Sequence, residues 1–144
     1  MKYLGLILSF IIIITFISFW QHNKTQLSKQ ISLLEINPQE TNLIVYFQID
    51  CNLCQKEISQ IKEYQQYFKK IVFITNMVSE EDVNLFISNL GIKDYMLFID
   101  HNASIATALN IQQVPHTILT INNKIIRFEG YITKENIITV ISEK

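Results

Sequence analysis

The 144-residue chain contains two cysteines, three glycines, two prolines and one tryptophan. Two cysteines in one short stretch cannot build the bridged scaffold of a small secreted domain, so the fold must rest on its apolar core. A domain of about 120 residues is long enough for that. Charge of either sign is equally unremarkable: 12 basic and 13 acidic residues are mixed along the chain and leave a net charge of −1. No Lys/Arg cluster interleaves with aromatics, which speaks against a nucleic-acid partner. Internal repeats and low-complexity tracts are absent. Asn, Gln, Ser and Thr fill most polar positions and Ile dominates the apolar ones, a bias of composition that carries no functional weight.

One long hydrophobic run is present. After Lys2, the stretch from Tyr3 to Trp20 has no charge over eighteen residues, about 27 Å as a helix, which just spans a bilayer. It ends in Ser18-Phe19-Trp20 rather than in the small residues of a cleavage site, and it has no cysteine for lipid attachment. The reading is an uncleaved anchor with Trp20 at the membrane interface. Residues 1–24 then form the anchor and the start of a polar tether, which runs from Gln21 to about Lys29 and holds His22. Residues 25–144 form a domain placed outside the cytoplasm.

Within that domain, Asn37-Pro38 marks a turn and Leu43 to Ile49 reads as a strand buried on both faces. Helical periodicity follows at Cys54, Ile58, Ile61, Tyr64 or Gln65, and Phe68. Ile71 to Thr75 is a second strand. "SEEDVNLFISNLG" is a helix with Ser79 as N-cap, an apolar stripe of Val83, Phe86, Ile87 and Leu90, and Gly91 as its stop. Tyr95 to Asp100 is a third strand, with a short helix near Ala103 to Leu109. Such alternation predicts a parallel sheet with helices on both faces. The runs on either side of Asn122-Asn123 predict an antiparallel hairpin, followed by Gly130 and a last helix with Ile137, Ile138 and Ile141 on one face. Tyr46, Phe47, Phe73 and Phe98 belong to the core.

The chemistry lies in "IDCNLCQKE". Two cysteines placed at random in a chain this long fall three apart roughly once in seventy trials, so the spacing favours chemistry without naming it. A redox pair, half of a metal site and two buried apolar residues all remain open. Cys51, at the start of a helix, lies where unpaired amides favour a thiolate and hence an easily leaving sulfur. Asp50 beside it either opposes that charge or caps the helix. Cys54 faces inward one turn later. Glu57, at i+3 from Cys54, is either its proton acceptor or a solvated surface acid. His116 and His101 complete a Cys₂His₂ set on paper, for zinc or copper, but their spacing matches no common zinc motif.

A strand ending at a CxxC, a helix starting on it, a later Val114-Pro115, a hairpin, a glycine and a final helix, in that order, resemble the thioredoxin superfamily over residues 30–144. The inserted strand and helix between Lys70 and Asp100, the N-terminal anchor and the pattern C-x-x-C-x-x-E resemble its membrane-tethered, extracytoplasmic branch (TlpA/ResA-like), whose members reduce the disulfides of apocytochromes or other exported thiol proteins. The resemblance implies an α/β thioredoxin-like fold: a central mixed sheet flanked by helices, preceded by an N-terminal transmembrane helix. It implies a thiol-disulfide oxidoreductase with catalytic Cys51, Cys54 and Glu57, substrate contacts from the Val114 backbone, and a cis bond before Pro115 packed against the cysteines. No cofactor or metal is implied. Exported protein thiols and a transmembrane thiol electron donor are the implied partners. An extracytoplasmic copper or zinc carrier using the same sulfurs is the alternative. The chain departs from thioredoxins proper in having Asp50 before the first cysteine and Asn52-Leu53 between the two. Val45 stands where a buried acid would be.

Overall fold

The computed structural model describes residues 9–19, 21, 31, 34–76 and 79–143. The chain divides into two compact units, Met1–Glu35 and Ile36–Lys144. In the first, residues 9–19 are helical and expose Phe10, Ile13 and Phe16. Among the described residues no helix is long and apolar enough to cross a membrane. The rest of the apolar run, residues 3–8 and Trp20, lies outside the described residues, as does the tether from His22 to Lys29.

The second unit is built on five strands in the order β3-β2-β1-β4-β5: β1 (Asn42–Tyr46), β2 (Lys70–Thr75), β3 (Tyr95–Ile99), β4 (His116–Ile121) and β5 (Lys124–Glu129). Its helices are α1 (Asn52–Ile61), α2 (Glu80–Asn89), α3 (Ser104–Ala108) and α4 (Lys134–Ser142). The middle strand, β1, is the run NLIVY, buried along its whole length. It pairs parallel with β2 and antiparallel with β4, so the sheet is mixed as the alternation and the hairpin predict.

Strand alternation sorts the core into two faces. Leu43, Val45, Ile71, Phe73 and Leu119 share one cluster with Cys54, Ile58 and Ile61 of α1, Val83 and Ile87 of α2, and Ile137 and Ile141 of α4. The other face buries Ile44, Tyr46, Val72, Ile74 and Ile118. The connections β1-α1-β2 and β2-α2-β3 step the same way across the sheet, and crossovers of one hand then put α1 and α2 on one face. Each such side chain withdrawn from water contributes roughly 1.5–3 kcal/mol.

Local signals decide where elements begin and end. Ser79 Oγ accepts the Asp82 amide at 3.2 Å, with Glu80, Glu81 and Asp82 in the favourable first turn of α2. Gly91 follows that helix at φ +75°. Asn122 and Asn123, at φ +49° and +63°, make the β4-β5 turn.

Two boundaries differ from the sequence reading. β1 stops at Tyr46, not Ile49, because the chain must reverse into α1: after the Phe47 amide bonds the Ile74 carbonyl at 2.9 Å, Gln48 to Asp50 form a turn. The helical pattern running to Phe68 is broken too. α1 ends at Ile61, and turns through Gln65–Tyr67 bring the chain back so that the Lys69 amide bonds the Thr41 carbonyl at 2.7 Å. Tyr64 and Phe68 still pack together, ring edge to face at 5.9 Å, from the turn rather than from one helix.

Candidate active site

The turn after β1 delivers Cys51 to the N-cap of α1 in extended conformation, where its Sγ accepts the Cys54 amide at 3.2 Å. Sulfur here occupies the place where a Ser, Thr, Asp or Asn oxygen usually stands. Asp50 is exposed and does not cap the helix. Cys51 and Cys54 are joined as a disulfide, with Cα atoms 5.2 Å apart. Their environments differ sharply: Cys51 is half-buried, whereas Cys54 is closed off from solvent among the residues of the core cluster. Leu53, between them, is 52% exposed.

Glu57, one turn beyond Cys54, is only 1% exposed. Its Oε1 accepts the Thr117 hydroxyl and its Oε2 accepts the Ile132 amide at 2.9 Å. Burial pushes its carboxyl above the ordinary range, and the two hydrogen bonds offset that only in part. A solvated surface acid is therefore excluded. Tyr64 lies in the same region, its phenol raised by burial and then by the Glu57 charge.

The Val114–Pro115 peptide bond is cis. Pro115 is buried and immediately precedes β4. Because Tyr46 pairs with His116, that bond lies at the end of the sheet from which the cysteine turn departs. Val114 and Cys51 are both partly buried against the same core cluster. The Pro115 carbonyl accepts the Gly130 amide at 2.9 Å.

The histidines do not join the sulfurs. His116 is fully buried, on the face of β4 opposite Thr117, and its Nε2 faces Arg127 Nε at 3.2 Å and Nη2 at 3.0 Å. Burial, then the guanidinium, lowers its affinity for a proton, against a smaller contrary effect of Glu129. His101 is exposed in the turn before α3. Among the described residues, no group of three or more His, Cys, Asp and Glu side chains is arranged to hold a metal ion.

Sequence reasoning overlooked Thr117 and Ile132. Thr117 carried a faint signal, as a polar residue two places after the proline in a strand otherwise filled by apolar residues on that face. The Ile132 amide carried none, since any residue except proline supplies one.

No family profile matches the sequence, and no curated protein does. Solved structures do. A secreted disulfide oxidoreductase of Mycobacterium tuberculosis, homologous to E. coli DsbE, superposes with a TM-score of 0.62 at 12% identity, covering 74% of this chain and 83% of that one. A thioredoxin-like protein in its oxidized form gives 0.60 at 17% identity over 76% and 86%. StoA from Bacillus subtilis gives 0.56 at 17% identity over 70% and 81%. The chain therefore has the thioredoxin-like fold.

Proposed function

We propose that this protein is a thiol-disulfide oxidoreductase that exchanges disulfides with exported proteins through Cys51 and Cys54, acting as the reductant. In the reduced enzyme the Cys51 thiolate, capped by the Cys54 amide, attacks a substrate disulfide. The substrate S–S bond breaks, a mixed disulfide to Cys51 forms, and one substrate sulfur leaves as a thiolate. Cys54 then gives its proton to Glu57 and attacks Cys51 Sγ, closing the Cys51–Cys54 disulfide and releasing the second substrate thiolate. Two electrons pass from the dithiol to the substrate. An extended substrate segment lies along the backbone at Val114, beside Pro115. A transmembrane thiol carrier returns the electrons, and the apolar run from Tyr3 to Trp20 tethers the domain outside the cytoplasm.

The observation that carries this reading is the grading along the first two turns of α1: a half-buried sulfur at the N-cap, a closed-off sulfur behind it, and a buried acid behind that. Attack and leaving require access and a stabilised thiolate; resolution requires a sheltered thiol and somewhere to put its proton. The reducing direction rests on the C-x-x-C-x-x-E pattern. The extracytoplasmic location has the support of a neighbour described as secreted.

Counting alkylated thiols across a glutathione series gives one reversible two-electron midpoint if the reading holds; absence of interconversion removes it. Cys54→Ser should accumulate mixed disulfides with exported proteins, and Cys51→Ser should accumulate none.

A further inference from the structure

The two oxygens of Glu57 are held by donors of different kinds. Oε2 accepts a backbone amide, that of Ile132, and Oε1 accepts a hydroxyl, that of Thr117. An amide N–H only donates, whereas a hydroxyl rotates between donating and accepting. When the carboxylate takes up a proton, Oε2 must remain an acceptor for Ile132. The proton therefore belongs on Oε1, aimed at Thr117 Oγ1, and the threonine hydrogen turns away. Both side chains are within 1% of complete burial, so bulk water does not compete for either oxygen.

We propose that Thr117 is a positioning residue of disulfide exchange: its reversible hydroxyl lets Glu57 alternate between carboxylate and carboxylic acid without moving. The inference rests on the reading of Glu57 as the proton acceptor of Cys54. In that step the Cys54 S–H bond breaks, its electron pair stays on sulfur, and the proton passes to Oε1.

The surroundings leave this work to the hydroxyl. β1 and β4 present Val45 and Thr117 to each other on this face, neither of them charged. The place where the family resemblance looks for a strand acid is thus filled by the cross-strand partner of the threonine that holds the helix acid. His116 and Arg127 lie on the other face of the sheet. On its own helix Glu57 follows Cys54 by one turn, and from the turn beyond that helix the Tyr64 phenol feels its charge. On the β5-α4 connection, Tyr131 is occupied by Gln60 at 2.9 Å and by Lys56 over its ring, while Lys134 pairs with Glu63 at 2.5 Å.

The test uses Ellman's reagent on the reduced protein. Release of the first thionitrobenzoate reports Cys51, and release of the second reports attack by Cys54. Thr117→Val removes the hydroxyl at nearly constant shape. Both protonation states of Glu57 lose a bond, but the ionised one loses the stronger, so the pH midpoint of the second release should move up by about one pH unit. Thr117→Ala, which adds no apolar bulk, carries the same expectation. Thr117→Ser should keep the wild-type profile. Glu57→Gln should lack this titration altogether.

An unshifted profile in Thr117→Val and Thr117→Ala, beside a Glu57→Gln profile that has lost its titration, overturns the role of Thr117 and leaves Glu57 as the base. A Thr117→Ser profile displaced like that of the valine variant overturns it too. A Glu57→Gln profile identical to wild type overturns the reading of Glu57 itself.

Discussion

Glu57 and Asp100 are both carboxylates closed off from solvent, 1% and 2% exposed, yet the fold holds them in opposite senses. Burial works against the charge of each. At Asp100 it is outweighed by the amides of Ile105 at 3.0 Å and Ala106 at 2.9 Å, then by the Tyr46 hydroxyl at 3.1 Å and Ser104 Oγ at 3.3 Å, and the carboxyl falls below its ordinary range. Glu57 has two donors, and its carboxyl rises. Asp100 opens α3 with fixed amides that a neutral acid cannot satisfy as well; Glu57 has one partner that reverses. The number and kind of donors, more than depth, separate a permanent anion from a group able to take a proton.

Deletion of each carboxylate tells the two apart most directly. Asp100→Ala leaves the part-buried amides of Ile105 and Ala106 at the start of α3 without their acceptor and should lower the unfolding free energy by about 2 kcal/mol or more, measured by urea denaturation. Glu57→Gln should stay within about 1 kcal/mol of wild type at neutral pH. A glutamine amide presents the hydrogen-bond pattern of the protonated acid, with its oxygen to Ile132 and its nitrogen to Thr117. Equal losses in the two variants would erase the distinction.

The two carboxylates also respond oppositely to pH. The folded state raises the proton affinity of Glu57, so its contribution to stability is full below the unfolded value of about 4.3 and is lost as pH rises through the folded value. Relative to Glu57→Gln, the wild type should therefore lose stability on going from pH 4 to neutrality, in urea midpoints taken at each pH. Asp100 runs the other way. Its contribution is present above about 3.9 and disappears as pH falls through its depressed folded value, so wild type should lose its advantage over Asp100→Asn only in strong acid. The smallest effect is expected at Lys134→Ala, which removes an exposed ion pair with Glu63. Its thermal midpoint should coincide with that of the wild type.

What the sequence discloses is what local chemistry sets. The N-cap at Ser79, the stop at Gly91, the Asn122-Asn123 turn and the strand-cysteine-helix order are read from neighbours a few residues apart, and the structure has them. The periodicity past Ile61 misled because a buried Tyr64 satisfies helical spacing equally well from a turn. Whether Glu57 faced water or core was undecidable from α1 alone. The answer depends on Thr117 and Ile132, sixty and seventy-five residues away. Asp100 reads as the last residue of a strand, and its four donors emerge only when the chain turns back over it into α3. Arg127, on the edge strand β5, likewise finds its partners far along the chain, in the Leu109 carbonyl at 2.6 Å and the imidazole of His116.

Gly130 stands at φ +80°, with its nearest prospective neighbour, Gln113 Nε2, 4.0 Å from where a Cβ would lie. Room is available there; the dihedral is what demands glycine. Its amide meets the carbonyl of Pro115, and two residues later the amide of Ile132 meets Glu57. A span of three residues thus rivets the cis-proline at the head of β4 to the buried acid behind the sulfurs, so that neither can drift without dragging the other along.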